Sequence, residues 1–238
     1  MIEFEKRERS VSVKIERVKP EDRKEYLLFV NEIPYNESVV SGSSQTQKYQ
    51  VDKEQRRQDI ENEEFAISDP DTEVDFVIKE DGKIVAAADA YIDDENPKEV
   101  YFSAVHVHPN SRQKGYAAQL SEAVEQWGRE KKADYLRASI SIKNPLSLIF
   151  FLSRGYIGKE VVTGAFEVVK TIGDEDMEVG LPNHEPVEVS MSDVKGIEEL
   201  FARGLVLVDA KNVFFDDRDY QVADRQELAP EKWTLIFR

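Results

Sequence analysis

One stretch of this 238-residue chain has residue types and spacing suited to holding an anion. Val105-His106-Val107-His108 reads as the end of a strand, and Pro109-Asn110-Ser111 leads from it into a helix. At that junction lies Arg112-Gln113-Lys114-Gly115-Tyr116-Ala117, an R-x-x-G-x-A pattern. The first N–H groups of a helix have no partner within it and point outward, so a strand running into a helix start presents a row of donors. Gly115 and the small Ala117 let a diphosphate approach that backbone, while Arg112 and Lys114 add charge. A dinucleotide fingerprint would need G-x-G-x-x-G after the first strand of a βαβ unit, which is not what stands here. A glycine and an alanine near a helix start also occur for structural reasons alone, so this pattern gains meaning only from its surroundings.

Other chemistry is sparse. There is no cysteine, which excludes disulfides, thiolate metal sites and a cysteine nucleophile. The histidines are His106, His108 and His184; without a third ligand near the first two, no metal site is expected. Asp216, Asp217 and Asp219 lack calcium-loop spacing and read as a solvated turn. The net charge of −16 and the lack of a Lys/Arg cluster argue against nucleic acid. Acidity would draw in a cationic substrate, although its plainer consequence is solubility. The N-terminus lacks the basic start and apolar run of a signal peptide. The apolar stretch from Leu146 to Leu152 is far shorter than the ~20 residues that span a bilayer. A soluble, cytoplasmic protein is expected.

The elements around the R-x-x-G-x-A segment follow from periodicity. Ser10 to Val18 alternates as a strand, and Pro20-Glu21-Asp22 opens a helix. Gly42 to Ser44 is a loop, and Gln47 to Glu64 is a charged surface helix. Val74–Glu80 and Lys83–Tyr91 are strands joined by Asp81-Gly82, the pair a type I′ hairpin favours. A turn at Asp94 to Pro97 leads to a third strand over Glu99–His108. The period then changes to 3.6: Gly115 to Lys131 is a helix with Ala117, Leu120, Val124 and Trp127 in one stripe. Asp134 to Ile142 is a strand, and Asn144 to Leu152 a short helix stopped by Gly155. Ser192 to Arg203 is a capped helix, Leu205–Val208 and Trp233–Phe237 are strands, and Gly173 to Asp176 is a loop.

This order of elements resembles the GNAT superfamily of N-acetyltransferases. The family's V-x-P-x-x-R-x-x-G-x-G/A motif matches Val107 to Ala117. A second motif, roughly N-x-x-A-x-x-F-Y-x-x-x-G-F, appears as Asn144-Pro145-Leu146-Ser147-Leu148-Ile149-Phe150-Phe151-Leu152-Ser153-Arg154-Gly155-Tyr156. The resemblance covers about Ser10 to Val162. It implies an α/β fold with a mixed, largely antiparallel sheet flanked by helices, and acetyl-coenzyme A as co-substrate. The backbones of Val105 and Val107 would pair with the pantetheine arm, and an N–H there would stabilise the oxyanion. The N–H groups of Gln113, Lys114, Gly115, Tyr116, Ala117 and Ala118 would hold the pyrophosphate beside Arg112, and Asn144 would lie beside the pantetheine. Asn before Pro is equally an N-cap, and the two roles are compatible.

The reaction so implied is direct transfer of an acetyl group to a primary amine of a small molecule or peptide, both substrates being bound together. Phe151 stands where the family often has the tyrosine that protonates the leaving thiolate; water, Ser147 or Tyr156 would have to serve. The family's base commonly lies nine to eleven residues before the motif's arginine, at Ser103 and Tyr101 here. Glu99 shares their face two residues earlier, whereas His106 has opposite parity. Glu99, Tyr101, Ser103 and His106 are therefore the catalytic candidates. The alternative is a catalytically idle coenzyme A-binding sensor or scaffold. Residues 1–162 form the expected acetyl-coenzyme A domain and 163–238 a C-terminal extension or insertion. Tyr156 to Val162 would be one closing strand. Trp233–Phe237 would be the other, or else the tail is an appended α+β subdomain that covers the acceptor site or makes a homodimer contact.

Overall fold

The computed structural model describes residues 13–33, 53–62, 69–173, 185–212 and 233–238. Its strands are β1 (Ile15–Arg17), β2 (Glu73–Glu80), β3 (Lys83–Asp93), β4 (Asn96–Val107), β5 (Tyr135–Ser141), β6 (Ile157–Val162), β7 (Ala165–Thr171), β8 (Val187–Ser190), β9 (Leu207–Asn212) and β10 (Trp233–Phe237). Its helices are α1 (Arg23–Glu32), α2 (53–61), α3 (Tyr116–Glu130), α4 (Pro145–Leu152) and α5 (Val194–Ala202). The strands join one sheet in the order β1-β2-β3-β4-β5-β7-β6-β9-β10-β8. The expected loop at 42–44, the ends of the charged helix, most of the loop after Gly173, His184 and the acidic run at 216–219 lie outside the described residues.

The meander β2–β3–β4 forms as its turn chemistry dictates. Asp81 and Gly82 both adopt left-handed backbone, φ 50° and 78°, as a type I′ turn requires. Alternation along the strands then divides the apolar residues between two faces. Val77, Ile84 and Ala87 meet Tyr26 of α1. Phe76, Ile78, Ala86, Ala88, Val100 and Phe102 face the other way, into a core shared with Leu120, Val124 and Trp127 of α3 and Leu148 and Phe151 of α4. The helices thus lie on opposite sides of the sheet, α1 on one, α3 and α4 on the other.

β4 and β5 are the parallel pair, and they meet only at Glu99–Tyr101 against Tyr135–Arg137. Beyond that point β4 runs on to Val107 and β5 to Ser141 without pairing to each other. On its other side β5 pairs along its whole length with β7. β6 and β7 are a hairpin across residues 163 and 164, turned by Thr163 (φ 48°) and Gly164 (φ 82°). The second closing strand, expected at Trp233–Phe237, is therefore β7. Trp233–Phe237 lies instead between β9 and β8. The reason is local: a two-residue turn brings Ala165–Thr171 to β6 at small entropic cost, before a strand some seventy positions later can compete.

Candidate functional site

The R-x-x-G-x-A segment forms a projecting loop at the C-terminal end of β4. A short 3₁₀ turn over Pro109–Ser111 is fixed by His108, whose Nδ1 accepts from the Asn110 N–H at 3.2 Å. Gln113 (φ 65°) and Gly115 (φ 78°) are both left-handed. A Cβ on Gly115 would meet nothing nearer than Gln119 Nε2 at 3.9 Å, so glycine serves conformation there rather than space. The first bond entering α3 runs from Gln119 N–H to the Gly115 carbonyl at 3.1 Å. Helix geometry leaves the N–H groups of Tyr116, Ala117 and Ala118 as its own unpaired donors. Arg112, Gln113, Lys114 and Gly115 are exposed around them. This donor set, with positive-φ backbone and open space, fits a diphosphate.

The charged side chains there are less free than the sequence suggested. Lys114 Nζ donates to both carboxylate oxygens of Glu80, at 2.7 and 3.0 Å, and the Tyr116 hydroxyl donates to the same carboxylate. These bonds hold the Glu80 carboxyl below its usual range. Burial, reinforced by the bond to Glu80, pushes Tyr116 up to about 12. Arg112 Nε donates to the Val107 carbonyl at 3.4 Å.

The open edge of β4 lies next to this loop. His108 N–H bonds Val85 O on β3 at 2.9 Å. Backbone direction alternates along a strand, so the N–H groups of Val107 and Val105 point the opposite way, toward the gap beside β5. Across the gap Asn144 caps α4, its Oδ1 accepting from Ser147 N–H at 3.2 Å.

The catalytic candidates share one face, contrary to the parity expected for His106. The β3–β4 register runs Ala90 to Phe102, then Asp89 to Ala104, so Ser103 is an extra residue, a β-bulge. Every later side chain of β4 changes face. His106 consequently pairs with Ala87, on the α1 side of the sheet, with Glu99 and Tyr101. Burial lowers the His106 pKa, favouring neutral imidazole. Ser103 is exposed at the bulge itself. Tyr101 packs on Tyr91 with ring centroids 5.1 Å apart. Glu99 is engaged by Asn96 Nδ2 at 3.4 Å and lies 3.7 Å from Arg137, which also bonds Glu167 at 2.8 Å. Arg137, Glu167 and Glu80 were not singled out from the sequence, because nothing in their local spacing marks them.

On the same face Asp89 and Asp75, paired across β3 and β2, both reach the Tyr26 hydroxyl, at 2.5 and 2.8 Å. Arg23 forms an ion pair with Asp75. Burial, opposed by the Tyr26 bond and reinforced by Asp75, brings Asp89 up to about 7. On the opposite face Phe151 is enclosed, edge-on to Phe102, Phe150 and Tyr156 at 5.3, 5.2 and 4.9 Å. The Tyr156 hydroxyl is buried without a hydrogen-bond partner, and burial raises its pKa. Among the described residues no group of three His, Asp or Glu side chains could hold a metal ion, and no helix is long and apolar enough to cross a membrane.

Residues 42–156 match the family model described as acetyltransferase (GNAT) family. Over those residues the chain is similar to GNAT acetyltransferases. GNAT-type architecture is also what solved structures show at low identity. The PaiA N-acetyltransferase of Thermoplasma acidophilum, in complex with coenzyme A, is 13% identical, with a TM-score of 0.51 over 67% of this chain and 98% of that one. The GNAT domain of S. lividans PAT is 15% identical, with a TM-score of 0.51 over 67% of this chain and 90% of its own. No curated protein matches the chain in sequence.

Proposed function

We propose that the chain transfers an acetyl group from acetyl-coenzyme A to a primary amine, both substrates being bound together. The observation that carries this reading is the ladder between β4 and β5, which stops at Tyr101 and Arg137 while β4 runs on to Val107 and into the loop that opens α3. Pantetheine would lie against the Val105 and Val107 edge, with the diphosphate on the backbone from Gln113 to Ala118. The coenzyme complex of the PaiA relative supports the same ligand. In the proposed division, residues 1–162 bind the coenzyme and 163–238 are an extension that lends β7 to the closing hairpin.

In the reaction the amine nitrogen bonds to the thioester carbonyl carbon, the C–S bond breaks, and the sulfur leaves with the bonding pair and is then protonated. The amine must first lose a proton. His106, kept neutral by burial and turned by the bulge to the face of Glu99, is the base we assign, with Glu99 as the alternative through water. Calorimetric titration of acetyl-coenzyme A should show micromolar binding that a Gly115→Trp variant loses; no binding by the intact protein would sink the assignment. With an acetylated amine in hand, His106→Asn should lower kcat roughly 10²-fold, the low end of general-base effects.

A second reading, a coenzyme A-binding module without turnover, is favoured by Phe151, which has no proton to give and is sealed among aromatic rings. Steady-state thioester cleavage against a panel of amines separates the two: coenzyme binding without amine-dependent release of free thiol selects the idle module.

A further inference from the structure

Glu80 is an unexpected neighbour for a loop that binds phosphate. It ends β2, and its carboxylate gathers three residues of the loop: Lys114 through two short contacts, Tyr116 through its hydroxyl, and Ser111 through a further side-chain bond. The first two flank Gly115, whose left-handed backbone shapes the donor row. A negative charge so placed has two opposite effects. It fixes the loop in its donating shape, and it occupies the lysine that would otherwise be free to meet an incoming phosphate.

We propose that Glu80 competes with the coenzyme for Lys114 and thereby sets how tightly the coenzyme is held. This rests on the acetyl-coenzyme A reading above. Glu80 is a positioning residue, because it acts through Lys114 and Tyr116 and touches no reacting atom. The backbone N–H groups supply the basic recognition, and a residue at position 80 that still accepts from the Tyr116 hydroxyl keeps the loop tied in its donating shape. Glu80→Gln keeps an oxygen acceptor for the Tyr116 hydroxyl and a side chain of nearly the same shape, while removing the charge that detains Lys114.

The test is a double-mutant cycle read by calorimetry with coenzyme A, using the intact protein, Glu80→Gln, Lys114→Met and the double variant. Glu80→Gln should tighten binding roughly twofold to fivefold, the size of one exposed ion pair redirected to a ligand. The gain should shrink at high salt, because it arises from an exposed charge. In the Lys114→Met background it should vanish. Unchanged or weaker binding by Glu80→Gln would overturn the proposal and make the carboxylate a structural strut only. A gain that persists without Lys114 would also overturn it, assigning the effect to the carboxylate's own repulsion of phosphate. If the intact protein and all variants fail to bind, the coenzyme reading itself falls, which is a different and recognisable result.

Discussion

The hydroxyl of Tyr26 touches two carboxylates, and a phenol has one proton to share between them. Asp75 has Arg23 beside it, whereas Asp89 is the more deeply buried carboxyl, and burial favours its protonated form even though the Tyr26 hydroxyl donates to it. That agrees with the elevated pKa of Asp89, about 7. The consequence for stability follows from linkage. The folded state keeps this proton after the unfolded chain, with its ordinary aspartate near 3.8, has lost it. The contribution is complete below about pH 4 and is lost as pH rises toward 7, by a few kcal/mol at most. Asp89→Asn keeps an oxygen acceptor for the Tyr26 hydroxyl and cannot ionise. Its denaturant midpoint should therefore fall less than that of the natural protein between pH 5 and pH 8. Parallel curves for the two proteins would show that Asp89 does not carry the proton.

At the scale of elements, two features of β4 and β6 decide what lies where. The Ser103 bulge puts His106 on the face of Glu99, and no reading of one strand could reveal it, because a bulge is a difference in residue count between two paired strands. The meander, α3 and α4 were legible for the opposite reason: Asp81-Gly82, the stripe through Leu120, Val124 and Trp127, and the Asn144-Pro145 cap are local signals with local causes. β7 was missed because Thr163-Gly164 is not among the usual hairpin dipeptides and Phe166 to Val169 is broken by one buried charge, Glu167. Gly158 is the second feature. It makes the single bridge, to Leu207, between β6 and β9, and a Cβ there would stand 2.8 Å from the Leu207 Cβ. Gly158→Ala should cost about 1–3 kcal/mol by overpacking, with the loss of hydrogen-exchange protection concentrated in β9 and β10. Protection falling evenly over the whole sheet would instead show that the two parts unfold as one.

Taken whole, the molecule is one sheet with two kinds of closure. From β2 through β7 most neighbours in the sheet are also near neighbours in sequence, joined by tight turns or by the α3 and α4 crossovers. The far end is different. β8 pairs with β10 and not with β9, so β10 lies in the middle of that group, with Trp233, Leu235 and Phe237 buried. This order has a meaning for a chain made from its N-terminus. Strands β2 to β7 can assemble while synthesis continues, whereas β8 waits as an unmatched edge until residues 233–237 have been added. During that interval the growing polypeptide carries a half-built sheet, and it is then, not in the finished fold, that this end is most exposed to wrong partners.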